Sequence, residues 1–420
     1  MTTAILKNPR IVVKLKRRAS DLDRRLLFLI LFPISLLIIA SLSPFSAAVR
    51  SILGGFASPP SPSPPGNEKS AELRRSRIAV CLVGGARRFE LTGPSIIQNI
   101  LRVYPNSDLF LHSPLDSNAY KLSLLKAAPR IAAVKIFKPA PIDETEARTR
   151  VLTAAYSPNG IQGLLQYFNL VEGCLTMIQD QQLKSNFTYD WIIRTRVDGY
   201  WSGRLSEDHF IPGRYVVPSG SSYRGLNDRF GIGDFNTSTA ALSRLSLIPQ
   251  IDLAGYKLMN SECAFKAQLE TQNVSYSIRH IPFCVVTNHR YEFPTSSPFY
   301  VPVAEIFSRS PLSGAKCKPC TPFCGGACVG SVMSGLEEGW GWSGWGNDTL
   351  RLCDANADWE EGWEKLFDEG VGKKLASARK RVKRLDFRRC VNDFGVMKGK
   401  TTSWVAPPLD QICQLGLQSI

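Results

Sequence analysis

Residues 189–201 read YDWIIRTRVDGYW, an apolar run that carries Arg194 and Arg196 and stops at Asp198 beside Gly199. An unpaired guanidinium is expensive to bury, so both arginines need anionic partners. A strand that only fills a core would find them in neighbouring acids. A strand that reaches a binding site would find at least one in a phosphate, which guanidinium meets in a planar fork. Asp198 would then stand at the open end, where a carboxylate can hold a divalent metal. Two further sets of residues carry related chemistry. Gly84-Gly85 precede Ala86-Arg87-Arg88; the glycines let the backbone approach a ligand and the arginines can bind its phosphate. Asp108 is followed by His112 in SDLFLHSP. Each set also has a structural reading: a plain glycine turn, a capping or packing pair, and an Asp-Gly turn.

In an open α/β sheet, ligands bind outside the carboxyl ends of the strands. The three sets therefore need strands that end side by side. In RIAVCLVGGARRF, 77–89, Ile78, Val80, Leu82 and Val83 make a short strand that the glycines end. Pro94 to Arg102 reads as a helix, 108–112 as a second strand and 132–138 as a third. Ile161, Leu164, Leu165, Phe168, Val171, Leu175 and Ile178 fall at helical spacing over 161–183. In the opening motif, Trp191, Ile193, Thr195 and Val197 alternate with Ile192, Arg194 and Arg196, the period of a strand. Strands alternating with helices predict an α/β fold whose mostly parallel sheet is covered by helices on both faces.

The first 76 residues speak to compartment. Residues 26–49 carry no charge, and at ~1.5 Å per residue such a run spans a bilayer core. Pro33 is tolerated there. Eight basic residues and two acidic ones precede the run in the tail 1–25. The positive-inside bias puts that tail in the cytosol and the rest of the chain across the membrane. A cleaved signal peptide and a buried core helix are the competing readings. Residues 50–76, rich in Pro, Ser and Gly, read as a stalk. The net charge of +15 could suggest nucleic acid, but a lumenal domain argues against it. Acidic glycans, acidic head groups or a merely solvated basic surface remain. Sequons at Asn186, Asn236, Asn273 and Asn347 agree with lumenal exposure.

The cysteine-rich C-terminal region, 306–420, contains CKPCTPFCGGAC over 317–328. No histidine lies nearby, and the spacing matches no paired zinc site. In an oxidising lumen, Cys317, Cys320, Cys324, Cys328, Cys353, Cys390 and Cys413 are disulfide candidates. Seven is an odd number, so one pairs elsewhere or stays free, and the connectivity is not readable. Trp340, Trp342 and Trp345 can stack on sugar rings or pack among the disulfides. The basic run 373–389 is a solvated helix face or a contact for an acidic glycan.

VCLVGGARRFELTGPSIIQNI, DLFLHSP and YDWIIRTRVDGYW, taken in this order, resemble a broad group of glycosyltransferases with a GT-A-like, Rossmann-like fold. GLNDRFGIGDFNTSTAAL, 225–242, and NSECAFKAQLETQNVSYSI, 260–278, are similar to later segments of that group. The likeness covers about 77–300, within an expected lumenal domain 77–305. The whole layout resembles uncharacterised plant type II single-pass membrane proteins. The resemblance implies a Golgi membrane glycosyltransferase that moves a sugar from a nucleotide sugar to a glycan acceptor, an acidic one among the candidates. It implies that Gly84, Gly85, Arg87, Arg88, Asp108, Arg194 and Arg196 serve the donor diphosphate, and that Asp198 binds Mn²⁺ or Mg²⁺. It makes Asp228 and Glu262 the acids that serve the acceptor. Asp228 also reads as a partner of Arg229, and Glu262 as an acid favoured in a first helical turn. The group's metal triplet has two acids, whereas this chain has Arg196-Val197-Asp198. The missing acid favours the alternative from another class, a catalytically silent lumenal binding or scaffold protein on the same fold.

Overall fold

Six apolar residues, IAVCLV, form β1 (Ile78–Val83), and every one is buried. Such a run belongs in the middle of a sheet covered on both faces. The computed structural model describes residues 65–417 apart from 156, 158, 292–300, 310 and 337–348. The expected span 26–49, most of the stalk, Asn347 and Trp340, Trp342 and Trp345 lie outside the described residues. Among the described residues, no helix is long and apolar enough to cross a membrane.

β1 pairs in parallel with β2 (Ser107–Pro114) on one side and β4 (Trp191–Arg196) on the other. Beyond β2 come β3 (Ile131–Phe137) and, at the edge, β14 (Thr401–Val405), both parallel. Beyond β4 comes β7 (Phe230–Asp234), antiparallel to β4 and to β6 (Tyr215–Pro218). β8 (Tyr276–Arg279) closes that side, parallel to β6. The order is β14-β3-β2-β1-β4-β7-β6-β8. Five of the seven pairings are parallel, as expected, but the antiparallel β7 makes the sheet a mixed one. Loop 219–229 joins β6 to β7 with no helical crossover, and a parallel neighbour requires one.

A second mixed sheet was not foreseen. It contains β5 (Gly199–Trp201), β9 (Phe283–Val286), β10 (Val303–Glu305), β11 (Lys316–Lys318), β12 (Cys324–Gly325) and β13 (Arg351–Leu352), in the order β12-β13-β10-β11-β9-β5. Residues 306–417 therefore supply strands to both sheets, and 65–420 forms one compact unit.

Strand alternation sends Val80, Leu82, Leu111 and Ile193 to one face of the main sheet, against Phe89, Ile100, Phe394 and Ile412. It sends Cys81, Phe110 and Ile192 to the other, against Val171, Leu175 and Ile178 of helix Gly160–Ser185 and Phe265 of helix Ser261–Thr271. Helices do cover both faces.

All seven C-terminal cysteine candidates are in disulfides. Cys320 pairs with Cys353, Cys324 with Cys328 and Cys390 with Cys413. Cys317, the odd one, reaches back to Cys284. A fifth bridge, Cys81–Cys174, ties β1 to helix 160–185. Cys263 is free.

Candidate functional site

The chain runs from β1 outward through β2 to β3, then returns to place β4 on the other side of β1. That reversal opens a crevice at the carboxyl ends of β1 and β4. The turn after β1 is built for close approach. Gly84 has φ +121°, a conformation side chains avoid. A Cβ on Gly85 would lie 2.7 Å from Asp116 Oδ2. Lys121 Nζ donates to the Arg87 carbonyl at 2.6 Å and pairs with Glu90 at 2.9 Å, which fixes the turn. Thr92 Oγ1 donates to the Val197 carbonyl at 2.7 Å and locks the two strand ends together.

Asp198 sits in this crevice with its side chain almost wholly buried. Arg196 grips it with two hydrogen bonds, Nε to Oδ1 at 2.7 Å and Nη2 to Oδ2 at 2.8 Å. Arg87 Nη1 donates to Oδ2 at 3.4 Å from a half-exposed side chain. Burial would raise the Asp198 carboxyl, but Arg196, Arg87 and Lys316 together hold it well below the usual carboxylate range.

Lys316, the first residue of β11, is the member that sequence reasoning missed. It is half-buried, and its side chain makes no hydrogen bond or ion pair among the described residues. Burial, then the nearby Arg229 and Arg196, push its ammonium well below the ordinary lysine range, and Asp198 offsets this only in part. Lys318, two residues on, shows the contrast. It donates to the carbonyls of Asp354 and Ala357 at 2.7 Å each. Arg229 is buried and donates to Ser221 Oγ at 2.8 Å and to the Gly314 carbonyl. Three cations thus act on the Asp198 carboxylate, and Arg229 adds a fourth beside Lys316.

Two acids flank the crevice beyond Arg229. Asp228 accepts from Ser261 Oγ at 2.6 Å and lies 3.6 Å from Arg244 Nη2, so its expected pairing with Arg229 is corrected to Arg244. Burial would raise Asp228, but Arg244, Arg194 and the Ser261 hydroxyl hold it low. Glu262 lies in the first turn of helix 261–271, as expected. Burial and the Asp228 charge push it up to about 8, against Arg229 and Arg244. Two neighbouring carboxyls driven apart in this way can divide acid and base roles. A Cβ on Gly225 would lie 2.1 Å from the Glu262 carbonyl, so only glycine lets loop 219–229 seat against this helix.

Three expected donor residues are elsewhere. Arg194 is fully buried, and its Nη1 donates to Tyr167 Oη at 2.9 Å while Nη2 donates to the Asp228 carbonyl. It shares a strand face with Arg196 but lies two residues deeper, about 6.6 Å from the strand end, so it belongs to the core. Arg88 turns away, donating to Asn288 Oδ1 at 2.9 Å and stacking 4.2 Å over Trp359. Asp108 is at the amino end of β2, not its carboxyl end, where it pairs with Arg130 at 2.8 Å and accepts from Tyr189 Oη at 2.9 Å.

The residues present do not fit a divalent metal. Asp198 is the one carboxylate held among these cations, and both of its oxygens accept from guanidinium groups. Asp116 lies instead against the glycine turn and accepts from the Asn118 amide, and no group of three or more His, Cys, Asp and Glu side chains stands ready to hold a metal among the described residues.

Residues 73–419 match a family model described as a domain of unknown function, DUF7796. The chain belongs to that family. No curated protein matches it. In this DUF7796 chain, the matched span takes in both sheets, the crevice and all five disulfides. Asn186, Asn236 and Asn273 are exposed on its surface.

Proposed function

We propose that this chain binds the diphosphate of a nucleotide sugar at the carboxyl ends of β1 and β4 and transfers the sugar to a glycan acceptor, as a type II Golgi membrane enzyme. One observation carries the reading: Arg87, Arg196 and Lys316 converge on the Asp198 carboxylate at the strand-order reversal, Arg229 adds a further cation beside Lys316, and among the described residues the Lys316 side chain makes no hydrogen bond or ion pair. An incoming diphosphate supplies the charge that this cluster lacks. Arg87 is the cation free to swing onto it, since its hold on Asp198 is the longer one. Asp198 orients Arg196. Ionised Asp228 is enclosed by Ser261, Arg194 and Arg244. Glu262 is therefore the acid placed to exchange a proton with an acceptor hydroxyl, and Asp228 sets its proton affinity.

That no metal donor set stands among the described residues favours one second reading, a lumenal protein that binds nucleotide sugars or glycans without turnover. A panel of nucleotide sugars and nucleoside diphosphates, titrated into the full-length protein in neutral detergent with and without Mn²⁺, tests both. Selective, metal-independent donor binding with release of the nucleotide in the presence of an acceptor supports transfer. Binding without release supports the second reading, and no binding across the panel removes both.

A further inference from the structure

A cleft of about 710 Å³ lies at the opposite end of the main sheet from the crevice. Leu73 and Arg74, just before β1, and Arg102 to Tyr104, just before β2, line it, so it sits beyond the amino ends of those strands. Its volume is within the range of about 300–1,000 Å³ common for ligand sites. Its charge is lopsided. Arg74, Arg102, Arg204, Lys373 and Lys374 line it against one acid, Glu207. Those five cations are exposed, and none makes an ion pair or side-chain hydrogen bond among the described residues. Glu207 is already engaged, accepting from Ser70 Oγ at 2.9 Å.

The cations come from four separate stretches of chain, and their clustering lowers stability by mutual repulsion. Gly372, at φ 77° and ψ 167°, breaks helix Trp363–Lys383, so Lys373 and Lys374 open the renewed helical run, where the helix dipole disfavours positive charge. The chain just before the described residues cannot neutralise them, because 51–64 contains no acidic residue. An external anion can. The wall offers no exposed aromatic face: Tyr104 is buried, with its hydroxyl donated to the Leu205 carbonyl at 2.8 Å. A base or a neutral sugar ring finds no platform there. Polar Gln98 and Ser70 beside spread cations suit a ligand with several charges along a hydroxyl-rich chain.

We infer that this cleft binds an acidic oligosaccharide, a chain of sugars bearing carboxylate groups, at a site separate from the donor crevice. Ion pairs between its carboxylates and Arg74, Arg102, Lys373 and Lys374 hold it, with salt-dependent affinity.

The test uses the full-length protein in neutral detergent and a fluorescent oligogalacturonate, with an uncharged glucan oligomer of the same length and tripolyphosphate as comparison ligands. The oligogalacturonate should bind, and the glucan should not. Combined Arg102→Gln, Lys373→Gln and Lys374→Gln should weaken binding roughly tenfold or more while leaving nucleoside-diphosphate binding at the crevice unchanged. Glu207→Gln, which removes the one opposing acid, should tighten binding about threefold and serves as an independent check if the triple variant fails to fold. Equal binding of the glucan, binding of tripolyphosphate but not oligogalacturonate, or unchanged affinity in a folded triple variant overturns the inference.

Discussion

Removing the Asp198 carboxylate leaves Arg196 buried beside Arg87 and Lys316 with no anion among them. Asp198→Asn should therefore destabilise the protein, by about 3–5 kcal/mol if Arg196 finds no other partner, read as a fall in Tm. Because Asp198 is held below its ordinary range, its contribution is present above the unfolded value of about 3.9 and is lost as pH falls through the folded value. The Tm gap between wild type and Asp198→Asn should begin to narrow below about pH 3.9 and go on narrowing in stronger acid; a gap equally wide at neutral pH and in strong acid would contradict the pairing. A nucleoside diphosphate should restore part of the lost Tm, since it replaces the missing charge. Lys316→Ala tests the site from the other side. It should leave the unliganded Tm unchanged or higher, by relieving repulsion, and weaken diphosphate binding about tenfold or more. A large drop in Tm would make Lys316 structural. For Glu262 the sign is reversed. A carboxyl raised to about 8 favours the folded state below its unfolded value of about 4.3 and loses that advantage as pH rises through 8. Glu262→Gln should therefore gain Tm relative to wild type between pH 5 and pH 9 while losing sugar transfer; a pH-independent difference would rule out the raised acid.

β1, the glycine turn and β4 were legible because their chemistry is local: a buried apolar run, Gly84 where φ turns positive, and a strand whose following turn carries Asp198. The helix read over 161–183 is Gly160–Ser185. Periodicity placed Arg194 and Arg196 on one face but said nothing about depth, and depth decides that Arg194 bonds Tyr167 while Arg196 meets Asp198. Lys316 was not legible at all. It reaches the crevice only because β11 pairs with β9 and β10 in a second sheet built from short strands far apart in sequence. No local pattern marks such a sheet. The Cys81–Cys174 bridge was hidden for the same reason, since it joins a strand to a helix 93 residues away. At this scale Gly225 is the position to change. Gly225→Ala puts a Cβ into the Glu262 backbone, so it should displace loop 219–229, lower Tm and impair donor binding together. Wild-type Tm and binding would show that the loop moves freely. Reduction of the five disulfides, each typically contributing ~2–4 kcal/mol, should lower Tm further, whereas a chelator should not.

On the scale of the whole molecule, two charged concavities occupy opposite ends of one sheet, the crevice beyond the carboxyl ends and the cleft beyond the amino ends. The proposed lumenal placement has its own readout. Asn186, Asn236 and Asn273 are exposed, so endoglycosidase treatment of protein made in cells should increase its gel mobility, and the C-terminus should resist protease in sealed vesicles. No mobility shift with a protease-sensitive C-terminus would invert the topology. The position of β14 has a consequence for how the molecule is made. β3 emerges from the ribosome early, but its outer edge is paired by Thr401–Val405, far downstream of Phe137 where β3 ends. At roughly 5–20 residues per second the wait is on the order of tens of seconds, during which β3 presents open amide and carbonyl groups. A stop codon shortly before residue 401 would make that exposure permanent, and such a product is a natural substrate for chaperones and quality control even with the crevice intact.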